Sequence, residues 1–315
     1  ISACLVGSEM CIRDSLEDVA YGGKFTGNVL NTGTITSTVD GTGIALSYVA
    51  YSGTGIFTGT IANSGKIASH DTGIWVYETG YSGFSGGVTN SGTITSTSDN
   101  GIYLEAVTIG KGATFSGNVV NSGSISAPNS YGIELTNVAA YSDISGYGGT
   151  FAGSIINSGS IASNDAGVYL DYVGQSGFAG NIVNSGKITA SGGEGLYISS
   201  VANGAGATFT GSIINSGTIT ASDTGMYIYD VGYAGFSGNI SNSGKITANS
   251  DQGIFVSSVA AGAGATFKGN IVNSGAISAG TGTGVSVNDV ATSGTFAGTI
   301  LNSGKITAFH TGMYL

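Results

Sequence analysis

Five carboxylates close a phrase that recurs along the chain: Glu78, Glu105, Asp171, Asp230 and Asp289. Two carboxyl groups about 5 Å apart are the machinery of a retaining glycosidase. Glu78 and Glu105 belong to neighbouring units and are the pair best placed for that chemistry. The competing reading is a solvated acidic edge that keeps the chain soluble. Enzymes that cut acidic polysaccharides usually recruit basic groups, and no arginine follows Arg13. A second acidic set, Asp40, Asp71, Asp99, Asp165, Asp223 and Asp251, falls in turns. Hard oxygen ligands suit calcium, but each turn offers about one carboxylate and the Gly-Gly-x-Gly-x-Asp pattern is missing, so Asx-turns are expected there. His70 and His310 lie too far apart to share a metal, and neither has a serine and an acid nearby in triad form. Gly204-Ala205-Gly206 has neither the strand–helix context nor the lysine of a phosphate loop. No metal or cofactor is expected.

Other residues offer contact rather than catalysis. One position per unit, between two apolar residues, holds Ala45, Trp75, Tyr103, Glu134, Tyr169, Tyr197, Tyr227, Phe255, Ser286 and Tyr314. Aromatic faces stack on sugars and anchor protein partners, so Trp75, Tyr103, Tyr169, Tyr197, Tyr227 and Phe255 form the candidate contact surface. The alternative is a ladder of rings that only stabilises a solvent face. The pairs Thr34 and Thr36, Thr93 and Thr95, and Thr218 and Thr220 suggest a flat ice-binding row, but Lys66, Lys187, Lys245 and Lys305 interrupt it.

These residues must be positioned by a repeat. Asn-Ser/Thr-Gly recurs at Asn31, Asn63, Asn90, Asn121, Asn157, Asn184, Asn215, Asn242, Asn273 and Asn302, in units of 27–36 residues. Short and long units tend to alternate, as if two-unit blocks had duplicated. Six residues before every such Asn stands a Phe, from Phe25 to Phe296, and four after it an Ile, from Ile35 to Ile306. A turn follows, then Gly and two apolar residues separated by one, as in Gly253, Ile254 and Val256. The apolar spacing is two, which is the period of a strand and not of a helix. The pattern predicts an all-β, right-handed parallel β-helix of about ten coils, with three short strands per coil and uncapped ends. With coils about 4.8 Å apart, the rod would be about 45–50 Å long. Like stacks on like, and the Asn side chains form an inward ladder at a corner. Glycine two residues after each Phe leaves room beside the ring.

Composition agrees with one repetitive body. The 315 residues include 57 glycines and one proline, 41% are hydrophobic and 8% charged. That is too apolar for disorder, and a solenoid lengthens without widening its core. The formal net charge of −10 repels phosphate backbones and excludes nucleic acid as a partner. Residues 1–15, ISACLVGSEMCIRDS, break the pattern and hold Cys4, Cys11 and Arg13. They resemble translated sequencing-adapter read-through and are a non-native-looking leader. Residues 16–315 are then a single solenoid domain, and the repeat begins and ends in mid-coil, as a fragment of a longer protein would. The largest insertion, residues 139–150 in AAYSDISGYGGT, enlarges one corner and is a candidate contact loop.

The repeated F-x-G-x-I-x-N-S-G-x-I unit resembles the β-helical passenger domains of Gram-negative autotransporters and related surface adhesins, over residues 16–315. The resemblance implies export and display outside the outer membrane, with a C-terminal β-barrel in cis. It implies a structural and adhesive rod that binds host or environmental glycans or surface proteins; the uncapped strand edges of the repeat add an expectation of end-to-end or edge self-association. A polysaccharide-degrading enzyme and an ice-binding solenoid are the alternatives.

Overall fold

The computed structural model describes residues 14–39, 41–140 and 148–315. Asp40, the leader cysteines and most of the 139–150 insertion lie outside them. All regular structure among the described residues is β. The strands form four parallel sheets that run the length of the molecule, one of eleven strands and three of ten. Each coil contributes one strand to each sheet, so the chain is a parallel β-helix of about ten coils.

Each coil lays strands in four sheets, because the first of the three strands expected per coil is divided in two. The phrase Phe-x-Gly-x-Ile-x-Asn is not one strand. Gly235–Phe236 and Ile240–Asn242 are separate strands in separate sheets, and the chain turns at the glycine between them. The physical cause is close stacking of backbones. A Cβ on Gly86 would lie 1.4 Å from the Gly59 carbonyl oxygen, and one on Gly117 1.3 Å from that of Gly86. The same clash repeats at every coil from Gly59 to Gly298, within 1.3–1.7 Å. The glycine therefore makes room first for the backbone of the preceding coil; at Gly86 and Gly298 a Cβ would also stand 3.3 Å from that coil's phenylalanine ring.

Register is exact in the core columns. Phe pairs with Phe, as Phe84 with Phe115, and Asn with Asn, as Asn157 with Asn184. Nine successive Phe pairs stack with centroids 4.6–5.0 Å apart and planes within 13° of parallel. Rings held at the coil spacing stack offset, the preferred arrangement, and each pair adds about 0.5–1.5 kcal/mol beyond its burial. The ring at each coil also fills the core with the Ile that follows the Asn corner and with the two apolar residues of the last strand.

The Asn column is a continuous ladder. Nδ2 of each Asn donates to Oδ1 of the next over all nine steps, at 2.7–2.8 Å. Parallel in-register stacking is what makes this work, because each amide presents its donor upward and its acceptor downward.

The fourth sheet, here the closing sheet, runs from Asp14–Glu17 to Met313–Tyr314 and carries the aromatic position. Each coil leaves it through a left-handed corner occupied by ordinary residues: Asp18, Tyr48, Glu78, Ala106, Asn137, Tyr172, Ser200, Asp230, Ser258 and Asp289 have φ between 44° and 57°. Such a conformation is uncommon for L-residues. It recurs because each corner is bound to its neighbours, as Glu78 N donates to Glu105 O at 3.1 Å.

Candidate functional site

The closing sheet aligns the aromatic position in one column on its outer face. Tyr169 pairs with Tyr197, Tyr197 with Tyr227, and Tyr227 with Phe255. Their rings stack at 4.7, 5.0 and 5.0 Å, with interplanar angles of 4°, 4° and 23°. The rings are half-buried, and each is stacked on its neighbours in the column. Burial pushes the Tyr103, Tyr131, Tyr169, Tyr197 and Tyr227 phenols above their ordinary range, so they stay neutral donors.

Glu134 interrupts this column between Tyr103 and Tyr169. Tyr131, from the turn before it, leans over to stack on Tyr169 at 4.7 Å and 40°. The ring ladder is thereby patched from a position that periodicity does not single out. Beneath, Glu134 is buried, with 9% of the residue exposed. Asn100 Nδ2 donates to Glu134 Oε2 at 2.5 Å, and Ser130 Oγ donates to Asn100 Oδ1 at 2.6 Å. Burial raises the Glu134 pKa to about 7, the charges of Asp99, Glu105 and Asp165 push the same way, and the Asn100 bond opposes them.

The first coils hold an aromatic cluster that sequence reasoning passed over. Trp75 lies against Tyr77, with centroids 5.4 Å apart and planes 23° from parallel. Tyr48 stands edge-on to Tyr77 at 5.4 Å and 82°, and to Tyr51 at 5.3 Å and 81°. The Tyr77 and Tyr51 phenols donate to the Glu78 carboxylate, which pushes both upward, Tyr51 to about 12. The available signal was the density of Tyr48, Tyr51, Trp75, Tyr77 and Tyr81 within two coils. A cavity of about 350 Å³ opens beside this cluster.

The five carboxylates do not share one register. Tyr77, not Glu78, aligns with Glu105. Glu78 sits one residue later, in the left-handed corner, as do Asp230 and Asp289. Glu105 and Asp171 are in the strand, where Asp171 aligns with Ser199. Burial raises Asp171 and Asp230, and Asn203 Nδ2 donates to Asp230 Oδ2 at 2.6 Å.

The turn acids are used locally. Thr72 Oγ1 donates to Asp99 Oδ2 at 2.7 Å, and Asn164 Nδ2 to Asp165 Oδ1 at 3.0 Å. Among the described residues no three His, Cys, Asp or Glu side chains cluster as metal ligands would. His70 has a serine and an acid close by. Stacking brings Ser98 from the next coil to 3.1 Å from Nε2, and Asp71 Oδ1 lies 2.9 Å from Nδ1. These are the residue types of a nucleophilic triad, but not its geometry. The Ser98 hydroxyl is also 3.4 Å from Nδ1. A hydroxyl in line with the Nε2 lone pair would lie far from the other nitrogen, so Ser98 sits over the ring face and cannot pass its proton along that line. Its own N–H is taken by the His70 carbonyl at 2.8 Å, and that of Asp99 by Ser96 Oγ at 3.3 Å, which leaves neither to hold an oxyanion.

The threonine row is mixed. In register across its sheet run Thr34, Lys66, Thr93, Ser124, Ser160, Lys187, Thr218, Lys245, Ala276 and Lys305.

Set against family models, curated proteins and solved structures, the chain matches none of them. The fold itself defines the class: a parallel β-solenoid rod whose coils repeat one core.

Proposed function

We propose that the chain is a structural and adhesive rod, not an enzyme, whose closing-sheet face binds glycans or surface proteins. The observation that carries this reading is the outward column Tyr169, Tyr197, Tyr227 and Phe255, held in register on a rigid core. Its half-buried rings repeat at the coil spacing, so a long ligand would meet the same contact again and again. Weak contacts repeated in this way multiply through avidity. The offset of Glu78 from Glu105 and the mixed threonine row give the enzymatic and ice-binding alternatives no comparable support.

The finer proposal is a passenger-type segment of a Gram-negative surface adhesin. It rests on the repeated F-x-G-x-I-x-N-S-G-x-I unit and on a repeat body without cysteine, which suits export.

The test is a glycan array and a cell-binding assay with the full chain, beside the triple substitution Tyr169→Ala, Tyr197→Ala and Tyr227→Ala. The proposal expects binding that the triple variant loses while its circular dichroism stays β. Unchanged binding by a folded triple variant, together with a lower melting temperature, would reduce the column to a stabilising ladder.

A further inference from the structure

The cavity at the first coils is where two outer columns of the closing sheet run out of rings. In the first column Ser15 pairs with Ala45 and Ala45 with Trp75. In the second Glu17 pairs with Ser47 and Ser47 with Tyr77. Two coils without a ring at these positions, Ser15 with Glu17 and then the small pair Ala45 with Ser47, therefore precede a coil with two large rings. The result is a slot with a floor of small residues, closed on one side by Trp75 and Tyr77 and flanked by Tyr48. Its volume, about 350 Å³, lies at the small end of the range for ligand sites. Its depth is set by two absent rings at the coil spacing.

We infer that this slot binds a hexopyranose ring of a glycan, laid against the Trp75–Tyr77 wall in the place of the missing rings. The inference deepens the adhesive reading by naming a ligand class and a subsite. The chemistry of the walls selects the ligand. A pyranose has an apolar C–H face and a rim of hydroxyls. The slot offers aromatic surface on one side and, from the repeat body, hydrogen-bonding groups around the floor and rim: the Ser47 hydroxyl, the Tyr48 phenol and the exposed Glu17 carboxylate; Ser15, the last residue of the leader, is not counted among them. A quaternary ammonium ion would use the rings through cation–π attraction but would leave these hydroxyls without a partner. One further donor awaits an acceptor. The Trp75 Nε1 hydrogen is buried and meets none within the protein, and a small turn of the indole toward a ligand hydroxyl would satisfy it.

Trp75 is the single tryptophan of the chain, so its emission reports on this slot alone. The experiment titrates the full chain with methyl glycosides of glucose, galactose, mannose and N-acetylglucosamine, and with choline, while following tryptophan fluorescence. The same titrations are run on Ala45→Tyr, which restores a ring to the column and fills the slot, and on Glu17→Gln, which removes the carboxylate but keeps its shape. The expected result is a saturable change with at least one glycoside, weakened at least about tenfold in Ala45→Tyr and less in Glu17→Gln. Saturation by choline with no response to any glycoside would overturn the ligand class. Equal glycoside affinity in Ala45→Tyr, or no saturation with any glycoside, would overturn the slot. Glycan-array binding by the native chain that survives intact in Ala45→Tyr would leave the adhesive rod standing while removing this subsite from it.

Discussion

Asn157→Ala probes the ladder at its middle. Asn157 is 1% exposed. Its Nδ2 donates to Asn184 Oδ1 at 2.8 Å, and its Oδ1 accepts from Asn121 Nδ2 at 2.8 Å. Truncation leaves Asn184 Oδ1, in a residue with no solvent exposure, without that donor. An unmet buried acceptor costs about 1–3 kcal/mol. Asn121 Nδ2 loses its best partner but keeps the Ser160 and Gly123 carbonyls at 3.2 and 3.4 Å, so its share is about 1 kcal/mol. The sum is on the order of 3 kcal/mol. A repeat rod need not unfold in one step, so the readout is local. Ser185 N and Gly186 N donate to the Asn157 carbonyl at 2.8 and 3.1 Å. Hydrogen exchange at those two amides is expected to accelerate on the order of 100-fold, since each 1.4 kcal/mol is tenfold. Asn302→Ala, at an exposed step of the ladder, is expected to leave Ser185 and Gly186 unchanged. Acceleration below about fivefold at those amides would refute the idea that the amide column is an energetic unit, because the cost of an unmet buried acceptor is larger than that.

Other outcomes follow from the same geometry. Gly117→Ala places a Cβ 1.3 Å from the Gly86 carbonyl oxygen, and is expected to cost more than about 3 kcal/mol or to prevent folding, as seen by circular dichroism melting. Phe209→Ala removes a fully buried ring with two stacked neighbours and is expected to cost about 3–5 kcal/mol by the same measurement. Glu134 has its folded pKa raised from 4.5 to about 7, so the folded state holds the proton more tightly than the unfolded chain. Its stabilising share is whole below about pH 4.5 and is lost as pH rises through 7, on the order of 3 kcal/mol in all. Glu134→Gln can keep the acceptor for Asn100 without the charge. It is expected to flatten that part of the pH–melting profile and to melt higher than the native chain at pH 8.

The candidate site was legible where it follows the repeat. Tyr169, Tyr197, Tyr227 and Phe255 hold the same place in successive units, and parallel pairing sets equivalent residues side by side. It was illegible where residues at unlike places meet. Tyr131 fills the rung left by Glu134, Ser98 covers His70 from another coil, and Tyr48 and Tyr77 join Trp75 from a corner and a second column.

By itself the sequence determined the coil: its period of 27–36 residues, its Phe, Asn and Ile columns, and the strand spacing within each phrase. Those properties are local or strictly periodic, and an in-register stack copies them from unit to unit. Only the tertiary structure decided that each coil bends into four strands and that the invariant glycine accommodates a neighbouring carbonyl. It alone also decided which rings close ranks and where a slot is left open. These depend on contacts a few ångströms across between coils, where the volume of one side chain decides what its neighbour can reach.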